Sequence, residues 1–311
     1  MIKSFYILLL LSCQLLYPQE LLLPAVNPND QIINHYAYSL CYSEPHEQAA
    51  WVAYTLTKNR VRGTAKRTDD FRPDPKVKTG SASLADYKGS GYDRGHLAPA
   101  ADMKWSATAM SESFFMSNMS PQTPGFNRGI WKRVEQLVRD WAVENEEIHV
   151  VTGPVLKGQF KSIGPNKVSV PEYYYKVILD NKEPEIKGIG LILANTSSDR
   201  PIQSYAVTID RVESVTGIDF FVGLPDDIEE QVESNLDLSR WSFSVNGQHS
   251  KTVTPEKTLV VPGGEGQIVY ITKTGKKYHK DGCSSLSSSK IPIKLEDAIM
   301  RGYGPCKRCF P

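Results

Sequence analysis

Gly89-Ser-Gly-Tyr-Asp-Arg-Gly-His-Leu-Ala-Pro is followed by Ser117-Asn-Met-Ser-Pro-Gln and then by Asn127, at the start of an amphipathic stretch. Hydrolysis of a phosphodiester needs a base to deprotonate water, a cation against the charge on the phosphoryl and leaving oxygens, and a positive side chain beside the developing phosphorane. His96, Asn127 with a bound Mg²⁺, and Arg94 could supply these in that order. An imidazole of ordinary pKa, about 6.5, is neutral at pH 7 to 8 and can accept a proton, so activity is expected to fall below about pH 6. An amide is a modest ligand, but Mg²⁺ keeps much of its water and substrate phosphate can complete its shell; Mn²⁺ could take the same place. Glu135 comes eight residues after Asn127, two turns along the same helix and about 80° round it, where it could orient a metal-bound water without ligating. Taken singly, His96, Asn118 and Asn127 also read as turn or helix-cap residues. Their joint order and spacing favour a site.

The surrounding chain must supply the frame. Ile148-His-Val-Val-Thr, Tyr173-Tyr-Tyr-Lys-Val-Ile-Leu, Ile186-Lys-Gly-Ile-Gly-Leu-Ile-Leu and Ser204-Tyr-Ala-Val-Thr-Ile are rich in β-branched and aromatic residues and predict strands of a core sheet. Between 128 and 143, Ile130, Trp131, Val134, Leu137, Val138 and Trp141 fall at helical spacing, with Arg128, Lys132, Glu135 and Arg139 on the opposite side. Strand-rich runs mixed with a few helices, without an internal repeat, predict one α+β domain over residues 20–261. Cys41, alone in a strand-like segment, reads as a buried thiol.

Asp93-Arg94-Gly95-His96, Ser117-Asn118-Met119-Ser120-Pro121-Gln122, and Asn127-Arg-Gly-Ile-Trp131 with Glu135 resemble the DNA/RNA non-specific endonuclease family. This is the ββα-metal group that takes in mitochondrial endonuclease G and secreted bacterial sugar-non-specific nucleases. The likeness covers about residues 35 to 230, from Trp51-Val-Ala-Tyr-Thr-Leu through Thr152-Gly-Pro to Gly223-Leu-Pro-Asp-Asp. It implies a central antiparallel sheet with the ββα-metal element on one face. It further implies His96 as general base, Asn127 as the single direct Mg²⁺ ligand and Glu135 as a carboxylate behind the metal's water. Arg94 would contact the phosphate and Asn118 would support the catalytic loop. The family also has an upstream phosphate-contacting arginine, a place for which Arg67 and Arg72 compete. Products with 5′-phosphate and 3′-hydroxyl ends follow from the same likeness.

In 311 residues, 36 Lys plus Arg nearly balance 35 Asp plus Glu, so no global field drives binding to polyanions or membranes. Affinity for nucleic acid must come from a local patch, for which Arg60, Arg62, Lys66, Arg67, Lys104, Arg128, Lys132, Arg133 and Arg139 are candidates. None looks like a base-edge reader, and contacts confined to the backbone predict DNA and RNA as partners with little sequence preference. Two other readings stay open: a nucleic-acid-binding protein without turnover, and a phosphodiesterase for small nucleotides. The joint presence of His96, Asn127 and Glu135 speaks against the first, and the extended basic set against the second. A homodimer is compatible with the sequence, and any inhibitor protein is left open.

Residues 1–19 read as a signal peptide: one positive charge, a short apolar run, then Tyr17-Pro18-Gln19. A buried N-terminal helix is the weaker alternative, and Leu10-Leu11-Ser12-Cys13 also resembles a lipoprotein box that would anchor Cys13. No later stretch is apolar for about 18 residues, so no membrane span is expected and the remainder is exported, to a periplasm or outside the cell. A break at 262–266 precedes a small module at 267–311. There His279-x-x-x-Cys283, 22 residues, and Cys306-x-x-Cys309 offer four N/S ligands for a structural Zn²⁺, which so small a module would need as a staple. A Cys306–Cys309 disulfide is the competing reading in an exported protein. The tail faintly resembles the four-cysteine metal domain of Ada-like repair proteins, with His279 in place of one cysteine, and no repair activity follows from that.

Overall fold

A computed structural model describes residues 22–183, 185–243, 268–275, 277–286, 289–300, 303–306 and 308–309. The leader with Cys13 and the break at 262–266 lie outside the described residues. Strands β1 (Gln31–Asn34), β2 (Ser39–Ser43) and β3 (Gln48–Thr57) form a meander, followed by short helices α1 (Lys58–Val61) and α2 (Leu84–Tyr87). Then come β4 (Asp93–His96), α3 (Ala107–Glu112), β5 (Met119–Gln122) and α4 (Lys132–Glu144). The chain continues through β6 (Glu147–Pro154), the hairpin β7 (Lys161–Ile163) and β8 (Val168–Val170), β9 (Tyr173–Asp180), β10 (Lys187–Ala194) and β11 (Ala206–Val207). Helices α5 (Ile209–Thr216) and α6 (Asp226–Ser234) close the domain.

The main sheet runs β1-β2-β3-β6-β9-β10-β11 with every neighbouring pair antiparallel, as expected for the α+β class. Both faces are covered, which explains why β9 and β10 read as almost unbroken apolar runs rather than alternating ones. On one face Val52, Tyr54, Tyr174 and Ile178 pack under Trp131, Val134, Leu137, Val138 and Trp141 of the ββα element. On the other, Trp51, Ala53, Tyr175, Val177 and Leu179 pack under Ile209, Val212, Phe220, Phe221 and Val232. Cys41 is buried in this second layer, where burial pushes its thiol up to about 12.

Two expected elements are redrawn. The helix over 128–143 begins only at Lys132; Phe126–Trp131 is a wide π-type turn with non-helical backbone at Gly129 (φ −103°, ψ −109°). The strand over 204–209 shrinks to two residues, because Thr208 Oγ1 accepts the Arg211 N–H (3.2 Å) and caps α5 there.

In the C-terminal module β12 (Ile268–Ile271), β13 (Lys277–Tyr278), β14 (Ile291–Lys294), helix α7 (Leu295–Met300) and β15 (Gly304–Pro305) surround a small core that, among the described residues, consists of buried Val269, Ile271, Tyr278, Leu295 and Ala298. Pairing is antiparallel for β12 with β14 and parallel for β13 with β15. Among the described residues no helix is long and apolar enough to cross a membrane.

Candidate active site

β4 and β5 form a separate antiparallel ribbon with Asp93 opposite Gln122, Gly95 opposite Ser120 and His96 opposite Met119. Together with α4 they make the ββα element. A Cβ at Gly95 would lie 2.2 Å from Gln122 Cδ, so any larger residue there would have to displace the buried Gln122 side chain. Asn118 is fully buried: its Oδ1 accepts the Ala98 N–H (2.9 Å), and its Nδ2 donates to the carbonyls of Ala98 (2.9 Å) and Ser113 (2.8 Å). This fixes the chain two residues beyond His96. Below it, Asp74 receives Ser117 Oγ (2.5 Å) and contacts His35 Nε2 (2.8 Å), which anchors the same turn.

His96 stands edge-on to Phe114 (centroids 4.9 Å apart, 89° between planes) and beside Phe71 (5.8 Å). Its Nε2 is buried and has no hydrogen-bond partner among the described residues. Burial, then the charges of Arg67 and Arg94, push the imidazole down to about 3. The ring is therefore neutral across the physiological range, and the loss of activity expected below about pH 6 from an ordinary imidazole is moved to lower pH in the free enzyme.

Arg94 lies over the Phe71 ring (4.1 Å) and Arg67 over the Phe114 ring (4.7 Å), with Arg67 Nε also donating to Asp69 (2.7 Å). The two guanidinium groups thus flank His96. Arg72 is occupied otherwise: it donates to Asp70 Oδ2 (2.8 Å) and to the Ser111 carbonyl (2.9 Å) and stacks on Phe115 (4.1 Å). It braces the loop, and of the two competing arginines only Arg67 bears on His96.

Asn127 donates its Nδ2–H to Asp93 Oδ2 (2.9 Å), and Arg128 forks onto the same carboxylate (2.7 and 2.9 Å). Burial opposes ionisation of Asp93, but the Arg128 and Asn127 donors outweigh it and hold the carboxyl below its usual range. With the N–H taken, the amide keeps Oδ1 as the atom for a cation, which fits a weakly held Mg²⁺. Arg128 and Lys132 are exposed beside it.

Because of the Gly129 break, Asn127 and Glu135 do not share one regular helix, and the expected two-turn, 80° relation does not hold. Glu135 is half-buried on α4. Burial pushes its carboxyl up, Lys176 and Arg139 pull it back, and Asp102 adds to the rise. Lys176, fully buried in β9, donates to Thr152 Oγ1 (3.2 Å) and sits over the Trp131 ring (4.6 Å). Arg139 was expected in the substrate groove but pairs with buried Asp102 (2.8 Å), which also accepts Tyr54 OH (2.8 Å). Arg60 is likewise drawn inward, over Trp105 (4.5 Å) and onto the Thr55 carbonyl (2.6 Å), and Arg133 donates to the Arg200 carbonyl (3.2 Å). Arg62, Lys66, Arg67 and Lys104 remain exposed.

Asp93, Asp102, Gln122 and Lys176 were given no role in the sequence reading. Asp93 and Gln122 lie inside the motifs quoted above, and Lys176 is the one charge in the apolar run Tyr173–Leu179, a usable signal. Asp102 carried none. In the module, one ligand atom each of His279, Cys283, Cys306 and Cys309 lies within 4.8 Å of the others, and all three cysteines are free thiols. The β13–β15 pair brings them together, since Cys306 N–H donates to the Tyr278 carbonyl (3.0 Å) beside His279.

Residues 24–227 match the family model described as DNA/RNA non-specific endonuclease. The chain is 34% identical over 224 residues to a nuclease of Nostoc sp., covering 68% of this chain and 81% of that protein. It is 34% identical over 205 residues to mitochondrial endonuclease G of Homo sapiens, covering 61% and 69% respectively. Among solved structures, one titled as an EndoG/EndoGI complex and a mechanism of EndoG inhibition superposes with a TM-score of 0.62 at 29% identity, covering 67% of this chain and 91% of that one. With the ββα element, the half-buried histidine between two arginines and these likenesses in agreement, the chain belongs to the DNA/RNA non-specific endonuclease family, enzymes that hydrolyse phosphodiester bonds.

Proposed function

We propose that this protein is an exported, Mg²⁺-dependent endonuclease that cuts DNA and RNA with little sequence preference, leaving 5′-phosphate and 3′-hydroxyl ends. The observation that carries the reading is the buried, unpartnered Nε2 of His96 between Arg67 and Arg94. His96 takes the proton of the attacking water. Arg94 and Arg67 hold the scissile phosphate and offset the charge growing on its non-bridging oxygens. An anionic phosphate brought there favours the imidazolium and raises the affinity of His96 for a proton, so the base strengthens as substrate binds. Asn127 would hold Mg²⁺ through Oδ1, with Asp93 orienting that amide, and Glu135 would act through the ion's water. Bound Mg²⁺ supplies positive charge toward the leaving oxygen. Asn118 keeps the His96 turn in place, while the exposed Arg128, Lys132, Arg62, Lys66 and Lys104 would meet backbone phosphates.

Structural Zn²⁺ in the C-terminal module is part of this reading: one imidazole and three thiolates, the His279–Cys283 and Cys306–Cys309 pairs, suit a closed tetrahedral site, and nothing is left open for catalysis. Export rests on the leader segment, with lipid anchoring at Cys13 as its variant. Plasmid nicking is the test. Wild type with Mg²⁺ should nick and then degrade DNA and RNA, and chelation by EDTA should stop it. Binding of plasmid without cleavage would leave a nucleic-acid-binding protein instead, and cleavage confined to dinucleotides would leave a small-substrate phosphodiesterase.

A further inference from the structure

On the sheet face away from the ββα element, α5 and α6 pack side by side and bring carboxylates together. Asp210 and Glu213 are one turn apart on α5, and Glu233 is near the end of α6. One oxygen from each lies within 4.8 Å of the others. Glu233 is only 7% exposed, yet its Oε1 has no hydrogen-bond partner among the described residues. Glu213 Oε1 is taken by the Phe220 N–H (2.8 Å), which holds that side chain in place, and Asp210 is exposed, so the cluster opens to solvent on one side. Asp219 and Glu229 add negative charge around it.

A carboxylate buried without a donor and surrounded by others is unfavourable unless a proton or a cation joins it. We propose that Asp210, Glu213 and Glu233 bind one Ca²⁺ ion that ties α5 to α6, a site separate from the nuclease centre and from the Cys/His cluster. The donors are all hard oxygens, which excludes a thiolate-seeking metal. Ca²⁺ takes most of its about six to eight oxygens from protein groups and accepts several carboxylates, whereas Mg²⁺ keeps several waters and is held through one or two carboxylates, so a set of three protein carboxylates suits Ca²⁺. The helices joined in this way cover Tyr175, Val177 and Leu179, and the bound state is expected to stabilise that layer rather than to alter chemistry at His96.

The experiment uses the full chain carrying Asn127→Ala, which removes the nuclease metal site, after passage over chelating resin, with CaCl₂ or MgCl₂ as the only divalent salt. All five tryptophans lie between Trp51 and Trp241, so their fluorescence reads the nuclease domain and not the C-terminal module. Saturating Ca²⁺ should raise its melting temperature by about 5 °C, with a much smaller response to Mg²⁺. Glu233→Gln and Asp210→Asn, each added to that background, should lose the Ca²⁺ response. Glu233→Gln should melt no lower than its parent without Ca²⁺, since it no longer needs a proton, and Asp210→Asn, at the exposed edge, provides the reading if the first variant does not fold. No Ca²⁺-dependent rise in the parent, or a rise that survives both substitutions, overturns the site and leaves a protonated cluster. Neither result bears on plasmid cleavage by wild type, so the nuclease reading is judged separately.

Discussion

His96→Ala should lower cleavage at least about 10²-fold with binding of nucleic acid retained, because loss of a general base typically costs 10² to 10⁴; near-normal rates would reassign the base. The pH dependence follows from the depressed imidazole. A base whose pKa in the free enzyme is about 3 is available at every pH above that, so kcat/KM, which reports the free enzyme, should hold from pH 7 down through pH 5. A fall centred near 6.5 would show a solvated, ordinary imidazole. Folding is linked with the same sign: the unfolded chain binds this proton near pH 6.5 and the native one near 3, so the contribution of His96 to stability is complete above about 6.5 and is lost as pH falls from there. Asn127→Ala should abolish Mg²⁺-dependent turnover, and Glu135→Gln should cost about 10- to 100-fold, as for a group acting through a metal-bound water. A reversed ranking in steady-state assays would make Glu135 the ligand. The arginines separate by the same logic. Arg67→Ala should lower the rate with little change in melting temperature, and Arg72→Ala, which removes the donor shared by Asp70 and the Ser111 carbonyl, should lower the melting temperature first.

At the scale of elements, the site depends on a four-residue strand whose end is held by one amide. Asn118→Ala would leave the Ala98 N–H and two carbonyls buried without partners, at about 1 to 3 kcal/mol for each group left unsatisfied. A drop of at least about 4 °C in melting temperature is expected, together with a lower kcat, by thermal denaturation and plasmid nicking. An unchanged melting temperature would mean that the turn is held from elsewhere, through Asp74 and Ser117. The ribbon, its turn and α4 also show how far local pattern reaches. The apolar stripe of α4 was legible because Val134, Leu137, Val138 and Trp141 recur at the helical period and are all buried. The wide turn at Phe126–Trp131 was not, since apolar spacing alone continues the helix through Gly129. Where it ended, the placing of Glu135 relative to Asn127 ended with it.

For the whole molecule, the nuclease domain and the module are expected to be energetically separate. Truncation after residue 262 should spare nuclease activity, and removal of zinc should unfold the module alone, because so small a core draws its folding free energy from the ligands it gathers. Metal analysis with a thiol count decides this: one zinc and free thiols are expected, and absence of zinc with a Cys306–Cys309 bridge would overturn it. Loss of cleavage on long DNA but not on short oligonucleotides after truncation would make the module a substrate-binding accessory.

What the sequence by itself determined is what local spacing can encode. Asp93-Arg-Gly-His, Asn118 and Asn127 with its following helix pointed to phosphodiester chemistry, His279 and the three cysteines to a metal cluster, and the β-branched and aromatic runs to strands of a core sheet. What only the tertiary structure decided is which charges meet. Arg67 rather than Arg72 flanks His96, Arg139 turns inward to Asp102, Lys176 lies under the Glu135 network, and Asp93 orients Asn127. Each of these depends on groups at least 29 residues apart that the sheet order and the packing of α4 bring within reach, in surroundings dry enough to make their charges matter. A periodic pattern tells which face of an element is buried. It does not say which distant partner waits there, and for a charged side chain that partner decides between the substrate and the core.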